Sequence, residues 1–381
     1  MRVLSNAPDP RFGGPLKRSL SVARRLRPKG IDTVFLIPNG DNRFVEQARN
    51  NDFECIQIDQ PRIRSPDQVR ANIQFLAGFY KCVTTAKSVI NKHDIDIVHV
   101  NGPLNYAVAF AAARSDASLV WHFNDTLTPT PLKELSAALA ERWADRIVVA
   151  ADAVSTYFFD ESVDTTTLYA PVDLEKYDPS KITSPNWCLS EELSISAEIP
   201  IIGTVGNINP AKGHEYLIEA FADIGESAHL VIVGKQLESQ QQYYDRLVER
   251  LAELGIETRV TFLGWRDDIP RLLGSFDVFV LASITEACPM VVLEAMAIQC
   301  PVVATDVGGV SEQIPGPDYG WVVPPKDPHS LSTAIEGALT AEDSQIRTTN
   351  ARQRVEERFS LEACASAHAA VYQSVNSRRQ S

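Results

Sequence analysis

The sequence predicts an α/β protein made of two doubly wound, parallel-sheet domains. Three observations lead there. Short apolar runs of strand length alternate with longer amphipathic segments from end to end, the pattern of parallel strands joined by helical crossovers. The chain has 381 residues, more than one hydrophobic core usually holds. The alternation breaks once, from Asp178 to Ile199, where Asp178-Pro179-Ser180, Ser184-Pro185-Asn186 and Glu191-Glu192 carry turn-forming and acidic residues. The expected organisation is a domain at 1–177, a linker at 178–199, a second domain at 200–359 and a terminal helical segment at 360–381. A cleft between two such domains suits a two-substrate reaction.

In the first domain the strand candidates are Val3–Ala7, Thr33–Pro38, Glu54–Ile58, Ile95–Val100, Leu119–Phe123, Ile147–Ala150 and Thr167–Ala170. Helical periodicity marks Pro15–Arg27, Gln68–Lys92, Leu132–Trp143 and Ala151–Phe159 between them. In the second domain the strands are Ile201–Val205, Leu230–Val233, Val260–Leu263, Asp277–Leu281, Val302–Thr305 and Trp321–Val323. Helical patterns at Gln345–Arg358 and Leu361–Val375 close the chain.

Hydrophobic content of 44% and charged content of 22% are those of an ordinary globular protein. A net charge of −13 argues against nucleic acid as the partner. The six cysteines form no CxxC and no Cys/His array, so reduced thiols and no metal are expected. No signal-peptide core or bilayer-length apolar run is visible, and a cytoplasmic protein is expected. The sequon Asn124-Asp125-Thr126 carries no weight without an export signal.

Polar motifs gather where strands end. Phe12-Gly13-Gly14-Pro15 opens the first helix, and paired glycines at a helix N-terminus suit either a plain turn or an anion. The helix that follows is basic, with Lys17, Arg18, Arg24, Arg25, Arg27 and Lys29; it is either a solvated face or a contact with an anionic membrane. His99 reads as a packed strand histidine, with lining of the cleft as the lesser alternative. His122, near the end of its strand, is either structural or a hydrogen-bonding partner for a sugar hydroxyl.

In the second domain, Gly203-Thr204-Val205-Gly206-Asn207-Ile208-Asn209-Pro210-Ala211-Lys212-Gly213 is a glycine turn followed by a lysine. N–H donors, a helix dipole and a point charge there suit a diphosphate, and a capped helix with an exposed lysine explains the residues equally well. Gly264-Trp265-Arg266-Asp267-Asp268 is a second strand-to-loop junction. Glu286 and Glu294 flank Pro289 in the stretch Thr285–Met296, one in a loop after a strand and one within the next helix. A carboxylate among Val291, Val292, Leu293, Ala295 and Met296 needs hydrogen-bond partners, and a vicinal diol presents two donors; a helix glutamate that reaches solvent explains Glu294 as well, and Glu286 either contacts a sugar or caps the next helix.

In order, Gly203…Gly206…Lys212-Gly213, Val231-Ile232-Val233-Gly234, Phe262-Leu263-Gly264, Ser283…Glu286…Glu294-Ala295-Met296-Ala297, Pro301–Thr305 and Gly308-Gly309…Glu312 resemble the retaining GT-B glycosyltransferases of the group-1, family-4 type. Gly13-Gly14, His99 and His122 match that pattern as well. The resemblance implies two facing Rossmann-like domains, an interdomain cleft, and a terminal helix returning to the first domain. It implies transfer of a sugar with retention from a UDP- or GDP-sugar to a glycan or lipid-linked acceptor, in surface polysaccharide or glycolipid synthesis, without cofactor or metal.

Carried over residue by residue, Glu294 binds the ribose hydroxyls, Glu286 the donor sugar, and Lys212 the diphosphate. His122 contacts the sugar, and Gly13, Gly14 and Gly206 approach the diphosphate. Asn207, Arg266, Pro289, Met290 and Val291 complete the donor site. Glu286, His122 and Lys212 are the catalytic set. The reaction expected is a front-face displacement in which the leaving phosphate accepts the acceptor's proton.

Two departures stand out. Asn207 occupies a position where the family often has arginine, so either another base, such as Lys235 or Arg266, shares the diphosphate charge or the leaving group is stabilised less than usual. Tyr169-Ala170-Pro171-Val172-Asp173 replaces the usual Asn-Gly before Val/Ile-Asp. Two alternatives share the fold: a sugar-nucleotide 2-epimerase and a non-catalytic binding subunit.

Overall fold

The computed structural model describes residues 1–7, 9–10, 14–61, 69–182, 188–225 and 228–380. They divide into two compact units, Met1–Pro171 with Leu361–Ser381, and Val172–Ser360.

The first unit holds a seven-stranded sheet: β1 (Arg2–Asn6), β2 (Asp32–Pro38), β3 (Glu54–Ile58), β4 (Ile97–Asn101), β5 (Ser118–Phe123), β6 (Arg146–Val149) and β7 (Thr165–Thr167). All pairings are parallel, in the order β3-β2-β1-β4-β5-β6-β7. The connecting helices are α1 (Gly14–Leu26), α2 (Arg43–Asn50), α3 (Val69–Lys92), α4 (Tyr106–Ala112), α5 (Thr130–Trp143) and α6 (Asp152–Phe158). Every residue of β5 is buried and β4 is buried up to Asn101, as expected for strands covered on both faces.

Helices α2 and α4 are additions to the sequence reading. In α2 only Phe44, Val45 and Ala48 are buried, too short an apolar face for periodicity to register. Helix α4 is buried on nearly every side, so its sequence shows no face at all. Strand β7 lies earlier than the expected 167–170, because the residues that pair are the half-buried threonines and not the buried Leu168 and Ala170.

The second unit starts with two short helices, α7 (Pro179–Ile182) and α8 (Leu189–Leu193). Of the expected linker at 178–199, residues 183–187 lie outside the described residues and the rest belongs to this unit: Leu189 is 1% exposed, and Glu192 pairs with Arg266. The polar residues Asp178-Pro179-Ser180 and Glu191-Glu192 lie at or in these two short helices. The boundary falls earlier, at Pro171–Val172.

The second sheet comprises β8 (Ile201–Val205), β9 (His229–Val233), β10 (Val260–Gly264), β11 (Val278–Leu281), β12 (Val302–Thr305) and β13 (Trp321–Val323). It is parallel, in the order β10-β9-β8-β11-β12-β13. Around it run α9 (His214–Asp223), α10 (Gln241–Leu254), α11 (Ile269–Leu273), α12 (Met290–Ala297), α13 (Val310–Gln313), α14 (Pro328–Thr340) and α15 (Ser344–Arg354). Asp327 caps α14 by accepting from the Ser330 N–H at 3.0 Å, with Pro328 at the first helical position. Phe221, Leu230, Ile232, Val280 and Ile335 are part of the core.

A π-turn at Val355–Phe359 ends α15, and α16 (Leu361–Gln380) belongs to the first unit. There Val371, Tyr372 and Val375 pack with Val22 and Leu26 of α1 over Ile97, Val120 and Val148. None of the six cysteines is paired in a disulfide. Among the described residues no helix is long and apolar enough to cross a membrane.

Candidate functional site

Each sheet reverses its strand order once, and loops at such a point leave a crevice at the strand C-termini. In the second unit the reversal lies between β8 and β11. The two loops there are the ones that carry Lys212 and Glu286. They are tied together by the Ile284 N–H, which donates to the Ala211 carbonyl at 2.8 Å. Gly213 makes this approach possible: its φ is +61°, and a Cβ there would lie 2.0 Å from the Ala282 oxygen.

Lys212 Nζ donates to Glu286 Oε1 at 2.5 Å, and Ser283 Oγ donates to the same oxygen at 2.8 Å. Ser283 is buried, and its carbonyl accepts from Thr305 Oγ1 at 2.6 Å. The side chains of Lys212 and Glu286 remain 26% and 15% exposed, so a ligand can reach the pair. Gly308, with φ +54°, lies against the other side of this loop; a Cβ would sit 2.0 Å from the Glu286 carbonyl oxygen.

Much of the expected backbone cradle around Gly206 is already engaged. The Gly206 N–H donates to Val233 and the Ile208 N–H to Lys235. The Ala211 and Lys212 N–H groups donate to Asn209. Lys212 ends a one-turn 3-10 helix, Pro210–Lys212, rather than opening a long helix. What this loop offers an anion is therefore mainly the lysine charge. Asn207 is exposed beside it.

Arg266, one of the two candidate bases, is itself engaged. Its guanidinium is ion-paired with Asp268 at 2.7 Å and with Glu192, and those carboxylates hold its pKa above the usual arginine value. Lys235 is exposed just beyond β9.

Helix α12 begins at Met290, one residue after Pro289. Val292, Leu293, Ala295 and Met296 are buried, whereas Met290, Val291 and Glu294 are only partly buried. The buried Gln313 holds the start of this helix, donating to the Pro289 carbonyl at 3.1 Å. Glu294 accepts a hydrogen bond from the Tyr177 phenol, and burial followed by this carboxylate pushes the Tyr177 pKa up. Tyr177 was missed by sequence reasoning: it lies 117 positions before its partner (294 − 177) in a region read as the domain's end, and no local pattern couples them.

In the first unit, Gly13 lies outside the described residues and Gly14 starts α1. His122 is 1% exposed on β5. Its Nδ1 bonds His99 Nε2 at 3.1 Å, and His99 Nδ1 bonds Tyr372 Oη at 2.7 Å. His368 stacks on His99 at 5.9 Å. Burial first, with Arg18 and neighbouring imidazoles, lowers the pKa of both strand histidines well below the ordinary value. His99 is the packed histidine the sequence suggested. His122 keeps one buried ring nitrogen, Nε2, with no partner among the described residues.

The basic stretch is partly spent within the unit. Arg18 donates to the Leu168 carbonyl, Arg27 lies over Phe53, and Lys29 pairs with Glu362. Lys17, Arg24 and Arg25 stay exposed on α1.

Two family models match the chain: glycosyl transferases group 1 over residues 187–356 and a glycosyl transferase 4-like domain over residues 13–158. The chain is 26% identical to the N-acetyl-alpha-D-glucosaminyl L-malate synthase of Bacillus anthracis, over 96% of this chain and 95% of that protein. It is 31% identical to the D-inositol 3-phosphate glycosyltransferase of Nocardia farcinica over 47% of this chain, a match spanning 40% of that protein's length. The Anabaena protein Alr3699/HepE, solved in complex with UDP, shares the fold with a TM-score of 0.80 at 24% identity, over 98% of this chain and all of that one. With two parallel Rossmann-like sheets and both halves matched in order, the chain belongs to the group-1, family-4 glycosyltransferases of the GT-B fold.

Proposed function

We propose that this protein transfers a sugar, with retention of anomeric configuration and without a metal, from a UDP- or GDP-sugar to a glycan or lipid-linked acceptor. The observation that carries this reading is the Lys212–Glu286 pair at the switch point of the second sheet. Lys212 exchanges its carboxylate partner for the donor diphosphate, whose developing charge it stabilises as the anomeric bond breaks. Glu286, still held by Ser283, is then free to accept from the sugar hydroxyls. Glu294, oriented by Tyr177, accepts from the ribose diol. His122 contacts the sugar from the first unit. The leaving phosphate takes the acceptor's proton. The basic face of α1 holds the enzyme at an anionic membrane surface, on the cytoplasmic side.

A thermal-shift panel of UDP-, GDP- and ADP-sugars tests the donor assignment, because a ligand of the native state raises Tm by mass action. NMR of the product's anomeric proton then reads retention or inversion. No shift with any nucleotide sugar, or epimerised donor formed without acceptor, defeats the proposal.

A further inference from the structure

The buried histidines of the first unit form a directed chain rather than a loose cluster. Strand alternation places Ile97 and His99 of β4, and Val120 and His122 of β5, on the face that α16 covers. Helix α16 sets Cys364, His368 and Tyr372 four residues apart, along one side. His368 Nδ1 donates to the Cys364 carbonyl at 2.7 Å, which fixes that ring in place against His99.

The direction of the chain follows from counting protons. Tyr372 is 3% exposed, and burial raises its pKa, so it stays a phenol with one proton to place. Its partner among the described residues is His99 Nδ1. If His99 donated, the phenol proton would be buried without an acceptor there. Tyr372 therefore donates to His99 Nδ1. His99, neutral, then carries its proton on Nε2 and donates to His122 Nδ1. That leaves the His122 proton on Nε2, the buried nitrogen with no partner among the described residues.

We propose that Tyr372, through His99, locks His122 in the Nε2–H tautomer, so that His122 donates a hydrogen bond to an oxygen of the donor sugar. Tyr372 and His99 are positioning residues; only His122 touches substrate. The final helix thus sets the hydrogen-bond polarity of a group on β5. The substrate half of this statement rests on the His122 assignment proposed above, whereas the tautomer half stands on the first unit alone.

The test uses the full chain labelled with 15N-histidine. Two-bond 1H–15N correlation reads which ring nitrogen carries each proton, and His122→Gln assigns the His122 signals. The expected result, without ligand, is Nε2–H on both His99 and His122. Tyr372→Phe keeps the ring and removes the hydroxyl, and should leave His122 a mixture of tautomers. His99→Gln should do the same, since its amide can donate or accept, and serves if the first variant does not fold. A wild-type His122 protonated on Nδ1, or a single unchanged tautomer in the folded variants, overturns the relay.

A binding arm separates the two halves. Tyr372→Phe should weaken UDP-glucose about twofold, the factor by which an even tautomer mixture lowers the donating fraction, and leave UDP unchanged. If the tautomer shifts but UDP-glucose affinity does not, the relay has no role in donor binding. If His122→Leu, which has no donor, also binds UDP-glucose like the wild type, the sugar contact itself is wrong.

Discussion

Lys212 Nζ and Glu286 Oε1 lie 2.5 Å apart although 74 residues separate them in the chain. The pair is partly buried, so each charge screens the other from the cost of desolvation, and removing one leaves its partner uncompensated. Lys212→Ala is expected to lower kcat by about 10²–10³, the range found when one preorganised charge stabiliser is lost. Tm should fall as well, because Glu286 loses its counter-charge in a partly buried site. Single-turnover rates with the donor identified by thermal shift check this; wild-type rates would remove Lys212 from the mechanism.

Tyr177 and Glu294 make a separable prediction. Tyr177→Phe deletes the donor that orients the carboxylate and should raise the donor KM several-fold with kcat nearly unchanged. Glu294→Gln should raise it further, since both ribose bonds weaken, by about 1.5–3 kcal/mol for charged hydrogen bonds. The comparison is a KM against kcat split measured on both variants. A fall in kcat alone would assign Glu294 to the chemical step instead.

Gly308→Ala tests the loop packing. The added Cβ would meet the Glu286 carbonyl at 2.0 Å from a left-handed backbone, so the Glu286 loop must shift. Activity should drop at least tenfold, while far-ultraviolet circular dichroism stays native. Full activity would show that the loop tolerates displacement.

Stability should fall with acid below neutrality. Burial lowers the pKa of His214 and of His368 to about 4, and depresses His99 and His122 in the same direction. The folded state keeps these rings neutral while the unfolded chain protonates them below about 6.5. Their stabilisation is therefore complete above that pH and lost as pH falls towards 4. Each ring contributes a slope of about 1.4 kcal/mol per pH unit in that window. Urea midpoints at pH 7 and pH 5 measure the slope, and His368→Gln should flatten it; an unchanged midpoint in the wild type would contradict the buried neutral rings.

The exposed Lys17, Arg24 and Arg25 of α1 should bind vesicles containing anionic lipid at low salt and release them by about 0.5 M salt, where the Debye length is only a few Å. Cosedimentation with neutral and anionic vesicles decides it. Absence of binding to anionic vesicles at low salt removes the membrane proposal.

Periodicity and apolar runs are local properties, so the chain by itself determined where most elements lie. Glu54–Ile58, Ile201–Val205, Val302–Thr305 and Trp321–Val323 form strands over the expected residues. It also determined that the polar motifs sit at strand C-termini, because turn chemistry is written in neighbouring residues. Helix α4 escaped, since a segment buried all round has no polar face to alternate with. The partners were decided only by the tertiary structure. Placing β8 beside β11 brings Lys212 to Glu286, and returning α16 to the first unit brings Tyr372 to His99. Arg266 shows the same limit from the other side: as a sequence it is a spare cation, and folding gives its charge to Asp268 and Glu192. Hydrogen bonds and ion pairs reach only a few ångströms, and which groups come within that reach depends on strand order and packing, which no local pattern encodes.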